Sequence, residues 1–340
     1  MCGPPAYSLR TGTDMAPALP QRCRCVLPAM SIVLPAAMFA CFAALPLIAM
    51  AAAQSYLIDL ATRIMIFSIV AIALDLLVGY AGLISFGHAA FIGIGAYAVG
   101  ILSAHHISDA LIALPAAIGG CVLFAAATGS VCLRTKGPYF IMMTLAFGQM
   151  AFFIASSLAP YGGDNGLSIA GRNTVAGLAL LRSDRVFYYG VLGCLGVTFL
   201  ICRALVDSRF GRVLRGAREN PIRMATIGFK VRRFQLVAYV ICGAFGGLSG
   251  FLLANSTEFV SPAYMSWQRS GELIVMVILG GLGTLFGAMI GTAIYLFAEE
   301  WLSDITENWK VIFGPLLVLV VLFARGGIVG LLSRRSTGRE

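Results

Sequence analysis

Charge is what this sequence has least of. Only 11% of its 340 residues are Asp, Glu, Lys or Arg, against about 25% in an average soluble domain, while 59% are hydrophobic. Such a chain cannot clothe itself in an ordinary aqueous surface, and no polar stretch is long enough to fold as a separate catalytic domain. Lysine is nearly absent: Lys136, Lys230 and Lys310 are followed by Gly or Val. No Gly-x-x-x-x-Gly-Lys-Ser/Thr loop therefore exists to cradle a nucleotide phosphate. Histidine is as scarce, with His88, His105 and His106 the full set and no His-Glu-x-x-His among them, which excludes a metalloprotease helix. The His105-His106 pair beside Asp109 reads as a solvated turn. Neither a metal nor another cofactor is expected. Of nine cysteines, six (Cys41, Cys121, Cys132, Cys194, Cys202, Cys242) fall in or at the ends of apolar runs, where a thiol acts as a small hydrophobe.

What the sequence has instead is long apolar runs, at about 27–53, 57–78, 84–104, 110–132, 137–158, 186–206, 234–254, 271–300 and 309–324. Each is near the roughly 20 residues that cross a bilayer core. The expected fold is an all-α polytopic membrane protein with about 8–10 transmembrane helices. Residues 1–26 read as a disordered tail, 27–332 as a transmembrane domain, and 333–340 as a second tail. The formal net charge of +9 invites a nucleic-acid reading, but the cations lie in short loops between apolar runs. Nine of them (Arg203, Arg209, Arg212, Arg215, Arg218, Arg223, Lys230, Arg232, Arg233) surround the 207–233 loop, which the positive-inside rule puts in the cytoplasm. The Arg134/Lys136 turn and both termini then come out inside, and 105–109, 159–185 and 255–270 outside. This bookkeeping works only if 271–300 enters and returns. Its middle, Leu279-Gly280-Gly281-Leu282-Gly283, is where a helix can break, so a hairpin of two shorter helices is expected, dipping in from the outer face. Trp267, Trp301 and Trp309 then fall at the outer interface, where aromatic anchors gather.

Few polar groups sit inside these runs. Asp75 is an intramembrane carboxylate, costly enough to raise a functional hypothesis by default. Ser85 and His88 would share a helix face, and Thr144 and Gln149 lie mid-helix in the fifth run. Asp59 and Arg63, spaced i,i+4, read as a helix-surface pair. Gly247-Leu248-Ser249-Gly250 has the shape of an intramembrane protease nucleophile, yet no histidine follows residue 106 to serve it. Interleaved Gly-x-x-x-Gly pairs (Gly243/Gly247, Gly246/Gly250, Gly283/Gly287, Gly287/Gly291) point to close helix packing instead. In the basic loop Arg212, Arg215, Arg218 and Glu219 recur at helical spacing, and Pro221 ends that helix at Asn220. Asn220 as N-cap, Pro221 at the first position and Gly228 as C-cap then enclose a second, two-turn helix suited to docking, or to holding anionic lipid headgroups.

These pieces occur in a telling order. Gly79-Tyr80-Ala81-Gly82 through Ser85-x-Gly87-His88-Ala89-Ala90-Phe91-x-Gly93-x-Gly95-Ala96-Tyr97 comes first. Gly137-Pro138-Tyr139-Phe140 with Thr144-Leu145-Ala146-Phe147-Gly148-Gln149 follows, then Gly162-Gly163-x-x-Gly166-Leu167, Gly211-Arg212 to Arg218-Glu219-Asn220-Pro221, and Gly280-Gly281-Leu282-Gly283. As a set over roughly 55–330 they resemble the LivM-type permeases of branched-chain amino acid ABC importers. The resemblance implies a bacterial inner-membrane permease with both termini cytoplasmic. It would work beside a second, LivH-like permease, two cytoplasmic ATP-binding subunits that hydrolyse the ATP, and a periplasmic substrate-binding protein. It also implies that Arg212, Arg215, Arg218, Glu219, Asn220, Pro221, Arg223 and Gly228 form the ATPase-coupling loop. A translocation path would include Asp75, Ser85, His88, Thr144 and Gln149, with the helix break at Gly280, Gly281, Gly283 and Gly287. Permeases of the same type for urea, short-chain amides or aromatic acids remain open as alternatives, as does a stand-alone channel or secondary carrier working through Asp75.

Overall fold

The computed structural model describes residues 27–52, 55–169, 171–174, 182–305, 311 and 313–315. The chain divides into two units, residues 1–38 and 39–340. Of the first, the described residues are helical and begin α1 (Leu27–Ala52). The termini, Lys310 and Trp309 lie outside the described residues, so the expectations for the two tails and for all but four residues of the last apolar run do as well.

Among the described residues the second unit is helical almost throughout. It comprises α2 (Ser55–Asp75), α3 (His88–Ala104), α4 (Ala110–Cys132), α5 (Pro138–Ser157), α6 (Asp184–Asp207), α7 (Arg209–Glu219), α8 (Pro221–Thr226), α9 (Val231–Thr257), α10 (Trp267–Gly280) and α11 (Leu285–Ile305). Two-residue strands β1 (Leu167–Ser168) and β2 (Phe259–Val260) pair antiparallel. Among the described residues six helices are long and apolar enough to cross a membrane, and Leu34–Pro46 and His88–Ala104 are shorter apolar ones. The chain is a multi-pass membrane protein of all-α class.

Its core is built where glycine lets backbones touch. Helix α9 packs on α2, α3 and α4. A Cβ on Gly95 of α3 would lie 2.9 Å from the Gly247 Cα of α9, and one on Gly247 2.9 Å from the Ala117 carbonyl of α4. In a bilayer no hydrophobic force draws helices together, so contact depends on such close approach. The small face around Ser249 is thus a packing surface, and the Ser249 hydroxyl donates to the Ile66 carbonyl at 3.1 Å. The buried thiols behave likewise, Cys242 donating to the Ala73 carbonyl at 2.8 Å and Cys121 to that of Phe91 at 3.2 Å.

Loops expected to share a side do share one. At one end of the unit β1 pairs with β2, Thr174 N–H donates to the Ser108 carbonyl at 2.7 Å, and Asn173 N–H to the Asn255 side chain at 2.9 Å. This joins the 105–109, 159–174 and 255–266 segments. At the other end Lys136 and Gly137 border the same cavity as Arg218, Lys230 and Arg232. Exposed Trp267 and Trp301 open α10 and close α11, both at the first end.

The break in the 271–300 run is real, with unequal legs. Helix α10 has 14 residues, about 21 Å at 1.5 Å each and short of a ~30 Å core. The second leg, α11, is not short: its 21 residues reach past the start of α10 to set Glu299 and Glu300 beside Arg63 of α2. Gly281 at φ +115 and Gly283 at φ +79 make the turn, in a region of backbone space that favours glycine. The legs close on Gly280 and Gly287, where a Cβ on Gly287 would meet the Gly280 carbonyl at 2.8 Å.

Candidate functional site

The tip of this hairpin meets the end of α2. There α2 loosens from α-helix into a π-turn, Leu76–Tyr80, whose residues are all buried; such turns occur often at functional sites. Asp75, the last α-helical residue, is fully buried, and its Oδ1 accepts the Gly283 N–H at 2.7 Å. One turn on, the Tyr80 hydroxyl donates to the Gly283 carbonyl, also at 2.7 Å. Both backbone groups of one hairpin residue are thus held by one helix end. Between them sits Gly79, where a Cβ would lie 2.5 Å from the Gly283 nitrogen. A glycine is needed there for contact alone.

The basic segment reaches the same place. From α7 the Arg218 guanidinium donates to the Gly79 carbonyl. Arg215 donates through Nη2 to the Val206 carbonyl at 3.0 Å and stands 6.0 Å from the Tyr80 ring centre. Helical spacing put Arg212, Arg215, Arg218 and Glu219 on one helix, and the resemblance placed them with Arg223 in one coupling loop. In the fold Arg212, Arg215, Arg218, Glu219 and Arg223 are all exposed, but Arg215 and Arg218 also turn their guanidinium groups onto the Val206 and Gly79 carbonyls. Helix periodicity could not distinguish these roles, because the difference comes from α2 lying against α7.

Beyond α7 the local signals are realised as expected. The Asn220 side chain accepts the N–H groups of Ile222 and Arg223 at 3.1 and 3.0 Å, Pro221 takes the first position of α8, and Gly228 at φ +99 closes the turn. No residue of α8 is buried. Ile222 and Ile227 are 72% and 63% exposed, apolar surface at the tip of an otherwise basic segment. Behind it a cleft of about 660 Å³ is bordered by Gly82, Lys136, Arg218, Ile222, Phe229 and Arg232.

The other expected path residues gather elsewhere. Ser85 does not share a helix face with His88, because the chain from Gly82 to Gly87 is not helical and α3 begins at His88. Three glycines in Gly79–Gly87 favour that opening over a continuous helix. The Ser85 hydroxyl accepts the Gly87 N–H at 3.4 Å, and Thr144 of α5 holds this segment by accepting the Phe86 N–H at 3.2 Å. His88 is buried with neither ring nitrogen hydrogen-bonded. Its ring stands edge-on to Phe91 and Tyr239. Gln149 on α5 is half-buried, beside Gly148, which packs on Gly87. Asp75 therefore belongs to the hairpin cluster, while Ser85, His88, Thr144 and Gln149 lie in a layer around the start of α3, with Thr144 and Gln149 on the α5 side and His88 turned toward Tyr239 of α9. Sequence reasoning passed over Tyr80, Tyr239 and Ser270, which accepts the Ala89 N–H at 3.2 Å. A tyrosine at the end of an apolar run was the available signal for the first.

The family described as branched-chain amino acid transport system / permease component matches residues 56–322. The high-affinity branched-chain amino acid transport system permease protein LivM of Escherichia coli is 29% identical over 299 residues, covering 80% of this chain and 69% of that protein. The corresponding LivH of Salmonella typhimurium is 26% identical, covering 78% and 91%. A probable LivM of Methanocaldococcus jannaschii is 25% identical, covering 80% and 94%. No solved structure matches the chain.

Proposed function

The chain belongs to the permease-component family of branched-chain amino acid transport systems, and from that premise we propose that it forms part of an ATP-driven import path for those amino acids. In this reading the 207–233 end is cytoplasmic, the Trp267/Trp301 end is periplasmic, and the membrane is the bacterial inner one. Two ATP-binding subunits dock on α8 and supply the hydrolysis. A second, LivH-like permease completes the path, and a periplasmic binding protein delivers the solute.

The observation that carries the mechanism is the continuity from α8 to the hairpin tip. An exposed, capped helix with no buried residue of its own is joined to α7. From α7 Arg218 holds the Gly79 carbonyl, and the same turn of α2 holds Gly283 through Asp75 and Tyr80. Closure of the ATPases would push α8 and α7, and the buried turn would pass that displacement to the broken helix. Packed elements with discrete hydrogen-bonded arrangements tend to switch between states, not bend. Substrate contacts are weak in this scheme so that release stays possible, and the Ser85, His88, Thr144 and Gln149 layer is the candidate lining.

Purification in mild detergent, expressed with neighbouring genes, tests this. A co-purifying ATPase and second hydrophobic subunit are expected, and a solitary chain under several detergents would count against the reading. Within the assembled system, Glu219→Arg should abolish uptake with membrane insertion unchanged; normal uptake would remove Glu219 from the docking surface.

A further inference from the structure

The end of the unit opposite α8 contains a cavity that this scheme does not use. It encloses about 570 Å³ between the start of α2, the ends of α9 and α11, and the start of α10. Its lining pairs charge with apolar surface: Asp59, Arg63, Arg269 and Glu300 stand over Leu60, Phe67 and Leu253. Most of the cations there are spent. Arg269 donates to Glu272 at 2.6 Å and Arg172 to Asp184 at 2.6 Å. Arg63 is ion-paired more loosely, with Glu300 and Glu299 at 3.6 and 3.7 Å, beyond hydrogen-bond distance, so its guanidinium N–H groups keep room for a closer acceptor. The Tyr56 hydroxyl takes the other Glu300 oxygen. Asp59, one turn from Arg63 on the same face of α2, has neither ion pair nor hydrogen bond among the described residues. The i,i+4 pair expected to close on itself is open, with both members bordering the cavity.

From this geometry we propose that Asp59 and Arg63 form an entrance site for the zwitterionic head of an aliphatic α-amino acid. The Arg63 guanidinium binds the α-carboxylate, Asp59 binds the α-ammonium, and Leu60 and Phe67 receive the side chain. Residues spaced i,i+4 sit about 5–6 Å apart at Cβ, a span that the two α-substituents bridge with a hydrogen bond at each end. The mixture of signs selects this class. A lone carboxylate would face Asp59 and Glu300, and a lone amine would face Arg63, whereas a zwitterion meets opposite charge on both sides. The cavity lies in the ~300–1,000 Å³ range of small-molecule sites and is roomy for one such solute, which suits transient occupancy on the way inward. The choice of an aliphatic amino acid rests on the transport reading above; the charge geometry does not.

The test is saturation-transfer NMR of L-leucine on the full chain in nanodiscs, with isoamylamine and 4-methylpentanoate as analogues that each lack one charge. A leucine signal displaced by L-valine, and by neither analogue at equal concentration, is expected. Arg63→Gln and Asp59→Asn should each weaken it about tenfold, the loss typical of one charge-assisted hydrogen bond, and Arg63→Lys should recover part. Absence of a leucine signal, equal displacement by either analogue, or unchanged binding in both variants overturns the proposal. If Arg63→Gln fails to insert because Glu299 and Glu300 lose their cation, Asp59→Asn breaks no pair and decides alone. If the variants instead weaken only capture of a binding protein, with leucine binding intact, the cavity is a protein-docking surface and the proposal also fails. The transport reading fails separately, as absence of ATP-dependent leucine uptake by the wild-type assembly while the cavity still binds leucine.

Discussion

Two helix interruptions define this molecule, and they are held by opposite means. At Asn220–Pro221 the chain breaks in the open, and everything that makes the break is local: an Asn side chain capping two N–H groups, a proline at the first position and a glycine two residues past the helix. At Gly281–Thr284 the break is partly buried, and two of the bonds that hold it come from residues about two hundred positions away. A break in contact with water can satisfy its backbone with solvent, so its position needs only capping signals. Inside a bilayer every freed backbone group requires a protein partner. The inner break therefore depends on α2 arriving in register, and substitutions there should be felt by the whole protein.

The strongest expected effect is at Gly79. Gly79→Ala would place a Cβ against the Asp75 carboxylate that holds the hairpin tip and 2.5 Å from the Gly283 nitrogen, a backbone atom that cannot give way. Overpacking of this kind costs about 1–3 kcal/mol, and a lower melting temperature in detergent with little transport is expected. A wild-type melting curve would mean that the turn and the hairpin tip can separate freely. Gly228→Ala is the contrast at the outer break: the added carbon meets nothing within 4 Å, but the backbone there, unlike that of Gly79, is left-handed, at φ +99. The loss should be backbone strain of about 1–2 kcal/mol, confined to the exposed turn.

Next comes Asp75. Asp75→Ala leaves the Gly283 N–H without its acceptor in a buried place, an expected loss of about 1–3 kcal/mol. Asp75→Asn keeps an oxygen in position and should be nearly silent in stability. It also discriminates between mechanisms, since a carrier that cycles a proton or cation on Asp75 would lose transport in the Asn variant, while an ATP-driven importer keeps most of it. Uptake measured beside thermal stability for the two variants separates these outcomes.

How much of this was legible in the sequence follows the same division. Helix runs, the sidedness of the loops, the break near Gly281 and the caps of α8 rest on periodicity, charge and turn chemistry, all of which act over a few residues. The hairpin's partners did not show, because nothing near Leu282 names Asp75 or Tyr80. The inward hydrogen bonds of Arg215 and Arg218 did not show either, since helical spacing fixes which residues share a face and not what lies opposite. Asp59 and Arg63 failed in the other direction: their spacing allowed a pair, but Glu299 and Glu300 of α11 flank Arg63 instead. Ser85 was placed in a helix because an apolar run does not reveal where glycine opens it.

Tyr80→Phe sharpens the comparison at smaller scale. It removes one neutral hydrogen bond, to the Gly283 carbonyl, and leaves the ring in place, so a loss of about 1 kcal/mol is expected. If Asp75 and Tyr80 act on one rigid residue, the double variant Asp75→Ala/Tyr80→Phe should lose less than the sum of the two, because once the tip is free the second bond has less to hold. Additive losses would mean that each bond acts alone and that the tip is not a unit.

The least effect on stability, and the clearest test of the outer break, belongs to Asn220→Ala. Removing an N-cap costs about 0.5–2 kcal/mol of helix stability, but no residue of α8 is fully buried, so its fraying takes little packing from the bundle beyond Met224 against Gly216, and the melting temperature should stay close to wild type. Uptake should nevertheless fall, because a frayed α8 cannot transmit a push through α7 to Arg218 and the buried turn. Asn220→Asp, which also caps, should restore most of it. Hydrogen exchange at Ile222 and Arg223, whose N–H groups the cap protects, reports whether the helix has frayed. Fast exchange with full transport would show that α8 need not be ordered before its partner arrives, and the two breaks would then differ in role as well as in construction.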